Sequence, residues 1–228
     1  MKITELRSLI KESYKSKSGF MDTSLNNRVI KSGLGFFPYG SGLLIEGCEI
    51  IPQKGLMIVG QDFGNISYIK DELINFGEAN NPTFSMTVNL LKSYPIEKIF
   101  LTNLFMGLRM HINDLQKPKG MMGVNPAFKA NETSYLDSSF GFFETQLKVV
   151  NPTKIIILGK VPYHFLCSCY EQKKYRVETF EKYRLKNIPG HLLKIKGIPV
   201  LCIPHPSMWN SNVNNQQEWR KIILEFIS

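Results

Sequence analysis

Four apolar runs punctuate the chain, and each stops at a polar loop. They are Gly-Leu-Met-Ile-Val-Gly (55–60), Lys-Ile-Phe-Leu-Thr-Asn (98–103), Lys-Ile-Ile-Ile-Leu-Gly (154–159) and Ile-Pro-Val-Leu-Cys-Ile-Pro (198–204). None alternates apolar with polar residues, and continuous runs rich in Ile, Val and Leu suit strands covered on both faces, as in a parallel sheet. Between them apolar residues recur at helical spacing. Residues 83–94 precede the second run, and 134–150 precede the third and stop at Asn-Pro-Thr. Residues 161–174 follow the third run, with Pro162 in the first turn, where a missing N–H costs little. Residues 214–228 close the chain. Strand–helix alternation predicts an α/β fold with a central, mostly parallel four-stranded sheet flanked by helices. The glycine-containing stretch 37–52 reads as loops around a short edge strand. With no internal repeat or low-complexity linker, 1–228 reads as a single domain, with 1–36 a helical segment packed on it.

In open α/β sheets ligands bind in the crevice beyond the carboxyl ends of the strands. The loops that would converge there are Gln-Asp-Phe-Gly-Asn (61–65), Asn-Leu-Phe-Met-Gly (103–107), Gly-Lys-Val-Pro-Tyr-His (159–164) and His-Pro-Ser-Met-Trp-Asn (205–210). Asp62 suits two roles. It can cap the following helix, or it can orient a water, act as a base or stabilise a cation. Gly60 and Gly64 beside it let a ligand approach the backbone. His205 lies between Pro204 and Pro206, which pin its backbone; it is either a ligand-facing group or a core histidine. Asn103 interrupts an apolar run. A buried amide needs partners; this one matches the donor–acceptor edge of a pyrimidine, or it braces the next loop. Phe84, just after Pro82, either stacks on a flat ligand or packs in the core.

Composition adds little: 43% hydrophobic and 21% charged residues are ordinary for a soluble globular chain. No apolar run approaches the roughly 20 residues that span a bilayer. The N-terminus lacks the apolar core of a signal peptide, so a cytoplasmic location is expected. Cys48, Cys167, Cys169 and Cys202 form no C-x-x-C pair and no zinc or iron–sulfur spacing. Four free thiols in a reducing compartment are expected, with no metal and no other cofactor. Charge changes the picture more. Lys and Arg number 28 against 19 acids, a net +9. Between Lys173 and Lys196 there are eight Lys or Arg and two Glu, interleaved with Tyr175, Phe180 and Tyr183. That mixture suits a phosphate backbone and its bases, and it equally suits a solvated surface hairpin.

Taken in order, Gly-Gln-Asp-x-Gly after one strand, Thr-Asn after the next, Leu-Gly after the third and His-Pro-Ser after the last resemble the uracil-DNA glycosylase superfamily. The likeness runs from about Gly55 to Trp219. "GQDFG" is similar to the first motif, which in the best-known branch begins G-Q-D-P-Y, and "HPSMWN" to the second, which there begins H-P-S-P-L. The resemblance implies a three-layer fold and hydrolysis of the N-glycosidic bond of uracil or a related damaged base in DNA, an activity of base-excision repair. It implies that Asp62 orients the attacking water and His205 hydrogen-bonds O2 of the departing base. Asn103 would read N3 and O4 of the base, Phe84 would stack on its face, and the Gln61–Asp62 backbone would line the pocket floor. Ser207 would hold a phosphate, with Met208 and Trp209, next to Asn210, wedging into the duplex as the base flips out. Phe63 and Gly64 stand where the best-known branch has Pro and Tyr. That Tyr crowds out the thymine methyl group, so Gly64 implies a wider pocket and altered selectivity.

The expected partner is DNA, single- or double-stranded, bound by a monomer. Two other functions compete: a nucleic-acid-binding module of this fold with little or no glycosylase activity, and a hydrolase of small nucleosides or nucleotides. The 25-residue stretch 107–131 carries Arg109, His111, Lys117, Lys119 and Lys129 and is either a substrate-contacting lid or an insertion.

Overall fold

The structure is a computed structural model and describes Glu5 and residues 51–61, 91, 94–104, 133–171, 192–205 and 213–228. It contains an α/β arrangement built on a mostly parallel sheet. The strands are β1 (Leu56–Gly60), β2 (Ile99–Asn103), β3 (Lys154–Leu158), β4 (Leu192–Ile195) and β5 (Ile198–Ile203). The helices are α1 (Thr133–Val150), α2 (Lys160–Glu171) and α3 (Val213–Ile227). A short 3-10 turn, Ile96–Lys98, leads into β2. All four apolar runs form strands, and the described helices start within a residue of expectation. For α2 the expected residues 172–174 lie outside the described residues. So do residues 37–50 of the stretch 37–52 expected to hold an edge strand, most of 83–94, and the segment 1–36 apart from Glu5, which is helical; Ile51 and Pro52 are described and are not in a strand.

The sheet order is β2-β1-β3-β5-β4, with β2, β1, β3 and β5 mutually parallel. Among the described residues the sheet is five-stranded, which corrects the expected four. β4 pairs antiparallel with β5 through the two-residue turn Lys196–Gly197, with Ile195 opposite Ile198. Both turn residues have positive φ, 50° and 83°, as the tight hairpin turn matched to strand twist requires. The strand escaped the sequence pattern because it is four residues long, carries an exposed lysine, Lys194, and lies inside a basic stretch.

Every residue of β1 is buried, as a strand covered on both faces must be. Met57, Val59, Phe100, Ile155, Ile157 and Val200 point to one face. There they meet Phe142, Phe143, Leu147 and Val150 of α1 and Val161, Phe165 and Leu166 of α2. Leu56, Ile58, Leu101, Ile156, Leu158, Leu201 and Ile203 point to the other, where α3 packs Ile223 with Trp219, Ile222 and Phe226. Leu91 and Tyr94 join that second layer and close a turn, Tyr94 N donating to Leu91 O at 2.8 Å. Truncating a fully buried aromatic such as Phe143 in such a layer costs about 3–5 kcal/mol.

Helix α1 ends where Asn151 turns left-handed at φ 44° while its N–H still donates to Leu147 O at 2.9 Å. Asn is one of the residues that enters this conformation readily, and Pro152 cannot extend the helix. Lys54 N then caps the Val150 carbonyl at 3.1 Å, and Thr153 N bonds Gly55 O at 2.9 Å. These bonds tie the lower end of β1 to the α1–β3 junction and set the level at which both strands begin.

Candidate active site at the strand ends

The four parallel strands finish level with one another. In the register, Gly60 stands opposite Asn103 and Leu158 opposite Ile203. Two hydrogen bonds carry the ladder one residue further: Leu104 N to Gly60 O at 2.9 Å and Gly159 N to Ile203 O at 2.8 Å. The chain runs from β1 outward to β2 on one side, then crosses back past β1 to β3 on the other and onward to β5. β1 and β3 therefore flank the point where strand order reverses, and such folds open a ligand crevice there.

Gln61 follows β1 and Gly159 follows β3 at that point, with Asn103 on the β2 side and His205 on the β5 side. From β2 to β5 the row spans three strand spacings, roughly 14 Å. Gln61, Asn103 and His205 are each half-buried, neither lost in the core nor fully solvated. Beneath them Thr102 and Leu104 are buried, as are Leu158, Ile203 and Pro204.

Three of the residues expected at the site thus lie at the same end of the sheet: Asn103 and Gln61 on neighbouring strands, and His205 two strands from Gln61. Asp62, Phe63, Gly64, Phe84, Ser207, Met208, Trp209 and Asn210 lie outside the described residues. In the sequence Asp62 follows Gln61 directly and Gly64 comes three residues after it, and Ser207 stands two residues past His205.

Two glycines shape the row. Gly60 has ordinary strand backbone, but a Cβ built on it would overlap Asn103 Oδ1. The Asn103 carboxamide therefore leans from β2 across the end of β1. Gly159 has a φ of 93°, which L side chains seldom adopt. Its Cα faces His205, with an added Cβ falling 3.6 Å from the histidine Cβ. The sequence signal for both was a glycine closing an apolar strand. What each makes room for depends on strand neighbours distant in the chain.

Cys202, half-buried below His205, directs its thiol at Gly159 O at 3.7 Å. Cys167, Cys169 and Cys202 form no disulfide, and Cys48 lies outside the described residues. Among the described residues no helix is long and apolar enough to cross a membrane. No family model matches the chain, and a search of curated proteins finds no match.

Proposed function

We propose that this chain is a DNA glycosylase of the uracil-DNA glycosylase type, hydrolysing the N-glycosidic bond of uracil or a related damaged base. The observation that carries the reading is the level row Asn103, Gln61, Gly159, His205 around the strand-order reversal. Residues from four separate motifs stand at one end of the sheet in it, which supports the reading.

In this reading a flipped nucleotide enters the crevice with its base between Asn103 and His205. The half-buried Asn103 amide accepts from N3–H and donates to O4, both of which a pyrimidine presents on one edge. His205 donates to O2, where negative charge builds as the bond to C1′ lengthens. A donor placed where charge develops lowers the transition state more than the ground state. Asp62 follows Gln61 at the end of β1. It orients a water toward C1′, and its charge offsets the cationic character of the sugar. The water oxygen bonds to C1′, the glycosidic electron pair leaves with the base, and the water's proton ends on the base or solvent. Phe84 stacks on the base, Phe63 and Gly64 set the width of the pocket, and Ser207 holds a phosphate. Met208 and Trp209, beside Asn210, fill the gap that the flipped base leaves. The charge of +9 favours approach to a polyanion.

The test is a panel of labelled oligonucleotides, single- and double-stranded, each with one uracil, T·G mismatch, hypoxanthine or hydroxymethyluracil. Alkali then reveals abasic sites. Wild type and Asp62→Asn are compared. Excision that disappears in the variant supports the reading and names the base. DNA binding without excision of any base replaces it with a binding module.

A further inference from the structure

We infer that Gly60 is a positioning residue: the absence of a side chain there aims the Asn103 carboxamide into the crevice, so base selection depends on Gly60 through Asn103. The inference rests on the glycosylase reading for the identity of the ligand and on the strand geometry for the coupling.

Gly60 is the last residue of β1 and stands opposite Asn103, the last residue of β2. Among the described strands β2 stands at the edge of the sheet, whereas β1 lies one place further in. An Asn103 side chain rising straight from its strand would sit at the margin of the row. Instead its Oδ1 end lies over the Gly60 α-carbon, in the volume a β-carbon would fill, and this carries the amide toward Gln61 and the β1–β3 reversal. Even with the two amide ends interchanged, as hydrogen-bond assignment allows, one polar terminus faces Gly60 and the group leans inward.

The requirement is one of space. Gly60 has no positive φ, so alanine fits its backbone. The other neighbours an added Cβ would meet are Asn103 Cγ at 3.5 Å and Thr102 O at 3.6 Å, both ordinary contacts. The obstruction to a side chain at position 60 is therefore the Asn103 amide itself. Alanine there must push the amide outward or push the two strand ends apart. Buried, well-packed Phe100, Leu101 and Thr102 just below resist the second. A displacement of about 1 Å in a group that positions substrate is enough for a loss of about 100-fold in turnover.

Four proteins test this: wild type, Gly60→Ala, Asn103→Ala and the double variant. Each is assayed for excision from uracil-containing single-stranded DNA, for inhibition by free uracil, for affinity to abasic-site DNA, and for melting temperature. Gly60→Ala is expected to lose about 100-fold in excision and to lose inhibition by free uracil, while binding abasic-site DNA as wild type does. The double variant should be no slower than Asn103→Ala, because both changes remove the same contact. It should also recover the melting temperature of Asn103→Ala, since the overlapping group is gone. Losses that multiply in the double variant, or a double variant less stable than Gly60→Ala, overturn the inference while leaving the glycosylase reading intact. Wild-type protein that excises no base and is not inhibited by free base overturns the glycosylase reading, and the inference with it.

Discussion

Gly159 and His205 meet at the ends of two adjacent strands. Gly159 N donates to Ile203 O at 2.8 Å, and a β-carbon on Gly159 would stand 3.6 Å from that of His205. The distance leaves room for a methyl group; the backbone does not. At φ 93° any L side chain is strained, at about 1–3 kcal/mol. Gly159→Ala is therefore expected to lower stability by that amount in urea denaturation. If the strain relaxes by rotating the Gly159 peptide, the bond to Ile203 breaks and the strand end carrying His205 shifts. Excision should then fall further than the stability loss explains, measured well below the melting temperature. A variant with wild-type stability would show that the positive φ is not required.

Gln146 gives a prediction of the opposite sign. It lies on α1 between Phe142, Phe143, Leu147 and Val150, all buried against the sheet, and is itself fully buried. Among the described residues neither its Nε2 nor its Oε1 has a hydrogen-bond partner. A buried amide without partners costs about 1–3 kcal/mol, and an apolar group of similar shape removes that cost. Gln146→Met keeps the length and flexibility of the side chain, so a gain of about 1–3 kcal/mol in urea denaturation is expected. A loss would mean that a bound water satisfies the amide.

The salt dependence of binding separates DNA from a small nucleoside as the ligand. Each phosphate neutralised by Lys or Arg releases counterions, and for single strands the logarithm of affinity falls with a slope of about −0.7 per contact. Titrating a labelled abasic-site oligonucleotide with the Asp62→Asn variant between 50 and 200 mM salt, a range chosen for its steepness, should give a clear negative slope. Affinity that stays flat, with turnover of free nucleosides, would point to a small-molecule hydrolase.

Most of the described part of the fold was legible because it is written in local pattern. Gly, Pro or Asn bounds each apolar run, so all four strands and the described starts of three helices came within a residue. The α1 stop was legible for the same reason, since Asn151 and Pro152 act locally. β4 was not, because four residues with a lysine among them carry no periodic signal until the hairpin turn pairs them with β5. For the site, Asn103 and His205 were visible as polar interruptions at strand ends. The close approach of Gly60 to Asn103 was not, because it depends on which strands are neighbours. Gln146 looked like any polar residue in an amphipathic helix until α1 was laid on the sheet.

The cluster joining α1, α2 and the β4–β5 turn was equally out of reach of local pattern, and it predicts how stability responds to alkali. Tyr170 OH donates to Glu144 Oε1, and Lys196 Nζ donates to Glu144 Oε2. The Phe140 ring meets Tyr170 edge-on at 5.4 Å. The lysine is more than half exposed, so its pairing is worth at most about 1 kcal/mol and fades with salt. The tyrosine bond is half-buried and accepted by a carboxylate, so it outweighs the lysine at about 1.5–3 kcal/mol. Burial, then the Glu144 hydrogen bond and charge, raise the Tyr170 pKa well above its ordinary 10.0. The folded state thus holds the phenolic proton after the unfolded chain has released it. Its contribution is complete below pH 10 and declines as pH rises from there toward the folded pKa. Tyr170→Phe is expected to lose about 1.5–3 kcal/mol at neutral pH. Its stability should then fall less steeply than that of wild type above pH 10. Denaturant titrations from pH 7 to 11, a span chosen to bracket the unperturbed tyrosine pKa of about 10, measure both. Parallel curves for the two proteins across that range would show that the Tyr170 proton is not held by the fold.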